Sequence, residues 1–178
     1  MLPATLVGCS SKSYFTAAQA REWGPRVLDG VADDPAGATG LFCCPSFPLI
    51  PTLLETLGAG GGLVGAQDVS PYPAGAYTGE VSAGVLAELG CRLVMAGHPE
   101  RRRLFGEDDD LVRRKVLATA EAGLAPVIVV GEDVEGASAA DAVRTQFDRW
   151  LDGFPAGGEI LVAYEPAWAI GRPQPAPP

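Results

Sequence analysis

Histidine is nearly absent from this 178-residue chain, which contains a single one, His98. The four cysteines, Cys9, Cys43, Cys44 and Cys91, lack both the paired spacing of a zinc site and a CxxC redox motif. With one histidine and no neighbouring ligand set, we expect no metal centre and no cofactor. The cysteines lie in or beside apolar runs, so we interpret them as reduced residues of the core.

Long apolar runs and long basic runs are also missing. No stretch approaches the ~18 apolar residues of a membrane span, and the first residues lack a basic segment followed by an apolar core. The net charge is −9, which argues against an extended surface for nucleic acid or anionic membranes. The sequence contains no GxxxxGK[ST] pattern, which would indicate a nucleotide P-loop. We therefore expect a cytoplasmic protein that binds neither nucleic acid nor membrane, although a locally positive site can still bind an anionic metabolite.

The chain does contain a regular alternation of short apolar runs with amphipathic stretches. Six runs have the continuous apolar character of strands buried on both faces: 5–9, 41–44, 63–66, 92–96, 127–130 and 160–163. Five segments between them predict helices, within 16–31, 46–58, 85–90, 108–116 and 140–153. This alternation predicts an α/β fold with a parallel sheet, either a barrel or an open doubly wound sheet.

Segments rich in proline and glycine fall at the predicted turns rather than between domains. We therefore expect residues 1–178 to form one domain, as the proportion of hydrophobic residues also indicates. Residues 172–178 contain four prolines. Because proline lacks the amide proton that helix interiors and central strands need, this segment is predicted to be a terminal loop.

Polar side chains that could carry chemistry follow four of the predicted strands. Glu165 follows the sixth strand, with Trp168 and a glycine-containing loop behind it, a pattern that suits a general base covered by a mobile loop. Lys12 follows the first strand, where an ammonium could neutralise a phosphate or a developing oxyanion. His98 follows the fourth strand and could polarise a carbonyl or shuttle protons.

Each of these residues also has a plainer interpretation. Lys12 alone is a weak signal that fits a solvated loop charge, and His98 fits a helix start beside a surface ion-pair cluster of Glu100 with two arginines. Glu132, after the fifth strand, fits a turn or a helix start. Considered singly, none of these segments decides between structure and function.

Several ordered motifs together resemble the triosephosphate isomerase family over nearly the whole chain. The matching segments are Ser10 to Lys12, Gly65 to Asp68, Gly75 to Glu80, Gly97 to Arg102 and Tyr164 to Gly171. The resemblance implies a TIM-barrel-like parallel fold without metal or cofactor. It also implies that Lys12 is the electrostatic residue beside a small sugar phosphate, that His98 polarises its carbonyl, and that Glu165 moves a proton between neighbouring carbons through an enediolate.

The same resemblance implies three further roles. Glu100 would support Lys12 or the proton relay, while Ser10 and Gly171 would contact the substrate. Several positions depart from the family pattern: Ser10 and Asp68 replace asparagine, Pro99 replaces serine, and residues 172–175 differ from the usual continuation after Gly171. Each of the three substitutions alters a polar contact near the expected site, so an isomerase of four-carbon sugar phosphates is an alternative function.

A complete barrel of this type needs eight strand-helix units and about 250 residues, whereas the sequence predicts six strands and five helices. We therefore expect an incomplete barrel with two unpaired edges and an uncovered apolar interior. A partner is the expected remedy, most simply a second copy in a dimer that apposes or exchanges strands. A catalytically inactive, truncated family member that serves as an oligomeric structural or interaction module is the remaining alternative.

Overall fold

The computed structural model describes residues 2–31, 39–174 and 176. It contains six strands, β1 Thr5–Ser10, β2 Thr39–Cys44, β3 Leu63–Ala66, β4 Leu93–Ala96, β5 Ala125–Val130 and β6 Leu161–Tyr164. Every neighbouring pair is parallel, and the strands lie side by side in chain order. Since a doubly wound sheet reverses its strand order, this order selects the incomplete barrel among the predicted alternatives.

Helices connect the strands, with bounds α1 Ala17–Val31, α2 Ile50–Thr56, α3 Ala83–Leu89, α4 Pro99–Phe105, α5 Asp109–Glu121 and α6 Ala139–Trp150. The five predicted helices are present, and short 3-10 turns at Phe47–Leu49, Gly58–Gly60 and Ala167–Ala169 accompany them. Helix α4 was not among the five predicted helices, although a helix start at His98 was one interpretation of the sequence. Its large apolar residues, Leu104 and Phe105, are adjacent and 64% and 67% exposed, so the segment lacks the spaced apolar residues on which helix prediction depends.

Side-chain caps define where several helices begin. Ser82, Asp108 and Ser138 each accept a hydrogen bond from a backbone N–H in the first turn of α3, α5 and α6. The helix predicted within 108–116 is thereby confirmed, and Asp109 and Asp110 lie in its first turn. These caps fix the angle at which each helix leaves the loop that follows a strand.

Two apolar layers cover the sheet. The outer face packs against the helices, where Leu41 and Val94 meet residues of α2 and α3, and Ile128 meets α5 and the fully buried Trp150 of α6. The inner face packs side chain against side chain within the curled sheet. The inner cluster comprises Cys44, Leu93, Met95, Ala125, Val127 and Val129, with Phe42, Leu63, Leu161 and Ala163 packed against it.

The most exposed apolar side chains of the two edge strands lie on the outer face of the sheet, whereas the sequence predicted an exposed interior. The six residues of the inner cluster are buried, so the predicted uncovered interior is wrong for them. The apolar residues packed against that cluster, such as Leu161, are only partly buried. More strongly exposed apolar side chains lie on the outer face, where Val7 of β1 and Val162 of β6 are 57% and 51% exposed. Cys9 shares the outer face of β1 and is exposed, in contrast to the buried Cys43 with which it pairs in register. The expectation of four core cysteines therefore fails at Cys9, because it lies on an edge strand.

Arg172, Pro173 and Gln174 are exposed and form neither helix nor strand, while residues 175, 177 and 178 of the predicted terminal loop lie outside the described residues. Of the helices in the part of the chain that the structure describes, none combines the length and apolar character needed for a membrane span.

Candidate active site

Lys12 sits in a tightly held turn after β1. Its backbone has φ +45°, a conformation that non-glycine residues seldom adopt. Its N–H donates to Ser10 Oγ at 3.3 Å, and its carbonyl accepts from Gln67 Nε2 at 2.8 Å. The same amide of Gln67 donates to the Cys44 carbonyl at 3.0 Å. The loop after β3 thus holds the Lys12 turn against the end of β2.

His98 caps the start of helix α4, and only Gly97 separates it from β4. Gly97 has φ +76°, and a Cβ at this position would lie 2.7 Å from the indole of Trp150, so the turn requires glycine. His98 Nδ1 accepts the Glu100 N–H at 3.1 Å. Glu100 Oε1 in turn accepts from Lys12 Nζ at 2.6 Å, and this ammonium lowers the pKa of Glu100 although burial opposes the shift.

The hydrogen bond at Nδ1 fixes the tautomer of His98. A neutral imidazole that accepts at Nδ1 carries its proton on Nε2. Burial lowers the pKa of His98 below 6.5, with Glu165 and Glu100 opposing and Lys12 and Arg101 adding to the shift. Only 7% of the residue is exposed. The neutral form, with Nε2–H as a donor, is therefore the form that suits neutral pH.

Glu165 leaves the end of β6 toward the same imidazole. Its N–H donates to the Val130 carbonyl at 2.8 Å, which extends the β5–β6 pairing by one residue. A Cβ on Gly131 would lie 2.4 Å from the Glu165 carbonyl oxygen, so glycine permits this close approach. Glu165 Oε2 lies 3.4 Å from His98 Nε2. Side chains from β1, β4 and β6 thus meet at the carboxyl edge of the sheet.

A cavity of about 440 Å³ opens beside Lys12 and His98. Ser10, Lys12, His98 and Glu100 form its polar wall, and its apolar lining includes Met95 and Phe105. Gly171 lies after the last 3-10 turn, where it is exposed and has φ +76°. Within the described ranges, no cluster of three or more histidine, cysteine, aspartate or glutamate side chains is arranged to hold a metal ion.

Glu132 ties the segment after β6 to β5, a role that the sequence did not predict. Its carboxylate accepts from Trp168 Nε1 at 2.7 Å and from the Tyr164 hydroxyl at 2.9 Å, and its carbonyl accepts the Ala167 N–H at 3.0 Å. Burial raises the pKa of Glu132, but the hydrogen bonds outweigh it and hold the pKa below its ordinary value. The partners lie more than 30 residues away in sequence, so the only available signal was the predicted pairing of the two strands.

Polar side chains at the carboxyl edge of a singly wound parallel sheet are the arrangement of βα-barrel proteins. Comparison with known proteins agrees. The family model described as Triosephosphate isomerase matches residues 5–178. The chain belongs to the triosephosphate isomerase family.

Individual relatives show how much of the family's length is present. A triosephosphate isomerase of Halorhodospira halophila is 46% identical over 163 residues, which are 86% of this chain and 63% of the relative. For one of Thermus thermophilus the values are 41% over 181 residues, 97% and 70%. An L-erythrulose-1-phosphate isomerase of Pectobacterium atrosepticum is 37% identical over 179 residues, 96% of this chain and 69% of the relative. The chain thus spans somewhat under two thirds of the length of the first relative and slightly over two thirds of the length of the other two.

Proposed function

We propose that this chain carries the catalytic side chains of an isomerase that interconverts aldose and ketose phosphates, with a triose phosphate as its substrate. The observation that carries the proposal is the series of contacts that joins one carboxylate, one neutral imidazole and one ammonium. Glu165 lies 3.4 Å from His98, Glu100 links His98 to Lys12, and His98 and Lys12 line one cavity. Family membership supports the same reaction.

The proposed reaction moves one proton between adjacent carbons. Glu165 removes a proton from the carbon next to the carbonyl, and the electron pair passes to the carbonyl oxygen to form an enediolate. His98 donates a hydrogen bond from Nε2 to that oxygen, and the Lys12 ammonium stabilises the negative charge. The carboxylic acid formed at Glu165 then returns the proton to the neighbouring carbon. At the same time the hydroxyl proton of the first carbon moves to the former carbonyl oxygen, with His98 as the proposed relay, so that the carbonyl forms at the first carbon. Triosephosphate isomerase uses a neutral imidazole at a helix start as its electrophile, and His98 has the same arrangement.

We assign substrate contacts to Ser10, Lys12 and Gly171. Ser10 and Lys12 line the cavity, and the exposed backbone of Gly171 follows the segment that carries Glu165 and Trp168. Glu100 acts as a supporting residue because it accepts from the Lys12 ammonium at 2.6 Å. The proposed substrates belong to glycolysis and gluconeogenesis, so we expect the protein to act in the cytoplasm.

An isomerase of four-carbon sugar phosphates is the second candidate function. A relative named L-erythrulose-1-phosphate isomerase matches 96% of this chain. Ser10 and Pro99, which depart from the family pattern, also lie in the segments that carry Lys12 and His98. A change of substrate by one carbon would need only a local change in the cavity.

We further propose that the chain associates with itself, most simply as a dimer. The support is the exposure of apolar side chains on the outer faces of β1 and β6, each of which pairs with only one other strand among the described residues. Exposed strand edges of this kind favour pairing with another chain.

The function is tested by measuring interconversion of glyceraldehyde 3-phosphate with dihydroxyacetone phosphate, and of tetrulose phosphates, by the purified chain. We expect turnover of the triose pair and a fall of about 10²–10⁴-fold in Glu165→Gln, because the amide cannot accept the proton. Asp148→Asn, an exposed change on α6, is the matched control and should retain activity. Faster turnover of the tetruloses would select the second candidate. No turnover of either class, or equal turnover in Glu165→Gln, would contradict the proposal.

A further inference from the structure

Four charged side chains form a closed ring of ion pairs beside the candidate site. Lys115 Nζ of α5 contacts Asp68 Oδ1 at 2.5 Å and Glu107 Oε1 at 2.6 Å. Arg101 of α4 contacts the same two carboxylates, with Nη2 at 2.9 Å from Asp68 Oδ2 and Nε at 2.5 Å from Glu107 Oε1. The side chains of Lys115 and Glu107 are only 5% and 2% exposed. Two cations and two carboxylates therefore compensate one another, and water has little access to Lys115 and Glu107.

The ring connects to the candidate site through Arg101. Arg101 is the third residue of α4. The residue before it, Glu100, accepts a hydrogen bond from Lys12, and His98 caps the helix. The Arg101 N–H also donates to the His98 carbonyl at 2.9 Å. Asp68 and Arg101 also line the cavity, so the ring holds the first turn of α4 at the cavity wall.

The loop after β3 also holds the other half of the site. Gln67 donates to the carbonyl of Lys12 at 2.8 Å, and the next residue, Asp68, contacts Arg101 at 2.9 Å. Adjacent residues of one loop therefore fix the turn after β1 and the start of α4. A shift of this loop would change the distance between Lys12 and the imidazole.

We propose that Asp68 is a positioning residue, which acts through Arg101 to hold the first turn of α4 and with it His98 in place. This role rests on the function proposed above, because the position of the imidazole matters for turnover only if it polarises the substrate. A carboxylate is required because Lys115 and Arg101 each donate to a different oxygen of Asp68, and an asparagine amide offers one acceptor oxygen. Burial raises the pKa of the Asp68 carboxyl against the opposing effects of Lys115 and Arg101; the two cations favour the ionised form.

Two variants separate positioning from stability. Asp68→Ala leaves the buried ring with one uncompensated positive charge, which should lower the melting temperature as well as kcat. In Asp68→Ala combined with Lys115→Met, the remaining Arg101 and Glu107 balance one another, so the melting temperature should recover. The contact between the β3 loop and Arg101 is still absent from the double variant. We therefore expect its kcat to stay low, by up to about a hundredfold for a displacement on the order of 1 Å.

The single histidine provides a measurement that does not depend on activity. We expect the imidazole ¹H and ¹⁵N resonances of His98 to shift from their wild-type positions in both variants and to stay in place in Asp110→Asn. This control removes a carboxylate from the exposed side of α5, where Asp110 contacts Arg113 and Arg114. The proposal is overturned if the resonances and kcat return to wild-type values in the double variant, or if neither variant changes the resonances. A wild-type chain without turnover contradicts the proposed function, and the resonances alone then decide the role of Asp68.

Discussion

At the scale of single residues, the environment of His98 determines both its proposed chemistry and its effect on stability. The imidazole is 7% exposed and accepts a backbone N–H at Nδ1. Burial lowers its pKa in the folded chain below the 6.5 of an ordinary histidine. As the pH falls below 6.5, the unfolded chain therefore binds a proton before the folded chain does. The free energy of unfolding decreases with the pH until the pH is below the lowered pKa of the folded chain.

We expect this stability loss to disappear in His98→Asn. Above pH 6.5 neither state carries the proton, so the pH dependence of the two proteins should be the same there. As the pH is lowered to about 5, the wild type should lose more unfolding free energy than the variant, by about 1.4 kcal/mol for each unit by which the pKa is lowered. Urea unfolding at a series of pH values checks this. Parallel curves for the two proteins would show that burial does not hold His98 neutral.

Cys9 differs from the other cysteines because it is exposed on an edge strand. The hydrogen-bonding contact with Cys43 lowers the pKa of Cys9 to about 7, although burial opposes the shift. Burial raises the pKa of Cys44 and of Cys91. Since the thiolate is the reactive form, one of the four thiols should react rapidly with N-ethylmaleimide at pH 7.5 in the folded protein.

Cys9→Ser should remove this rapid phase, whereas Cys91→Ser, which changes a buried thiol, should retain it. Mass spectrometry of the modified chain identifies the reacting residue. Equal rates for two or more thiols in the native protein would be incompatible with the described position of Cys9.

At the scale of elements, the carboxylate of Glu132 joins the end of β6 to the start of the following 3-10 turn. Its two oxygens accept from the Trp168 indole and the Tyr164 hydroxyl. A glutamine at this position has only one acceptor oxygen, so Glu132→Gln should leave one of the two donors without its partner. The expected loss is roughly 1–3 kcal/mol of local stability.

Hydrogen exchange measures this loss where it should occur. The amides of residues 165 and 167–171 should exchange faster in Glu132→Gln than in the wild type, while those of α1 and α2 should not change. Asp148→Asn, on the exposed side of α6, serves as the control. Unchanged exchange at 165–171 would mean that other contacts fix this segment, such as the ion pair of Arg172 with Glu135 at 2.8 Å.

The elements that the sequence predicted are those whose signal is local. Continuous apolar runs predicted all six strands, and the pattern within 108–116 predicted the helix that Asp108 caps. Helix α4 was not among the predicted helices because its apolar residues Leu104 and Phe105 are adjacent rather than spaced along one face. The contacts of Glu132 and the charge ring around Lys115 were also missed. Their partners lie far apart in sequence, so the strand register and the helix packing determine them rather than any neighbouring residues.

At the scale of the whole molecule, the sheet has apolar side chains at both of its lateral ends. Val7 of β1 and Val162 of β6 lie on the outer face, 57% and 51% exposed. Their counterparts on inner strands are covered by helices, as Leu41 and Ile128 show. Because exposed apolar surface beside an unpaired strand edge favours association, we expect the two edge strands to form the proposed contact between copies.

Sedimentation equilibrium over a range of concentrations tests this contact. The wild-type chain should show a mass near twice its 18.4 kDa, which falls toward the monomer on dilution. Val7→Lys and Val162→Lys place a charge on the contact surface and should shift the equilibrium toward monomer. Val85→Lys on α3 alters a valine of similar exposure, 48%, and should leave the mass unchanged. A monomer at every concentration, or an equal effect of all three substitutions, would contradict association through β1 and β6, and circular dichroism of each variant would establish that the comparison is made between folded chains.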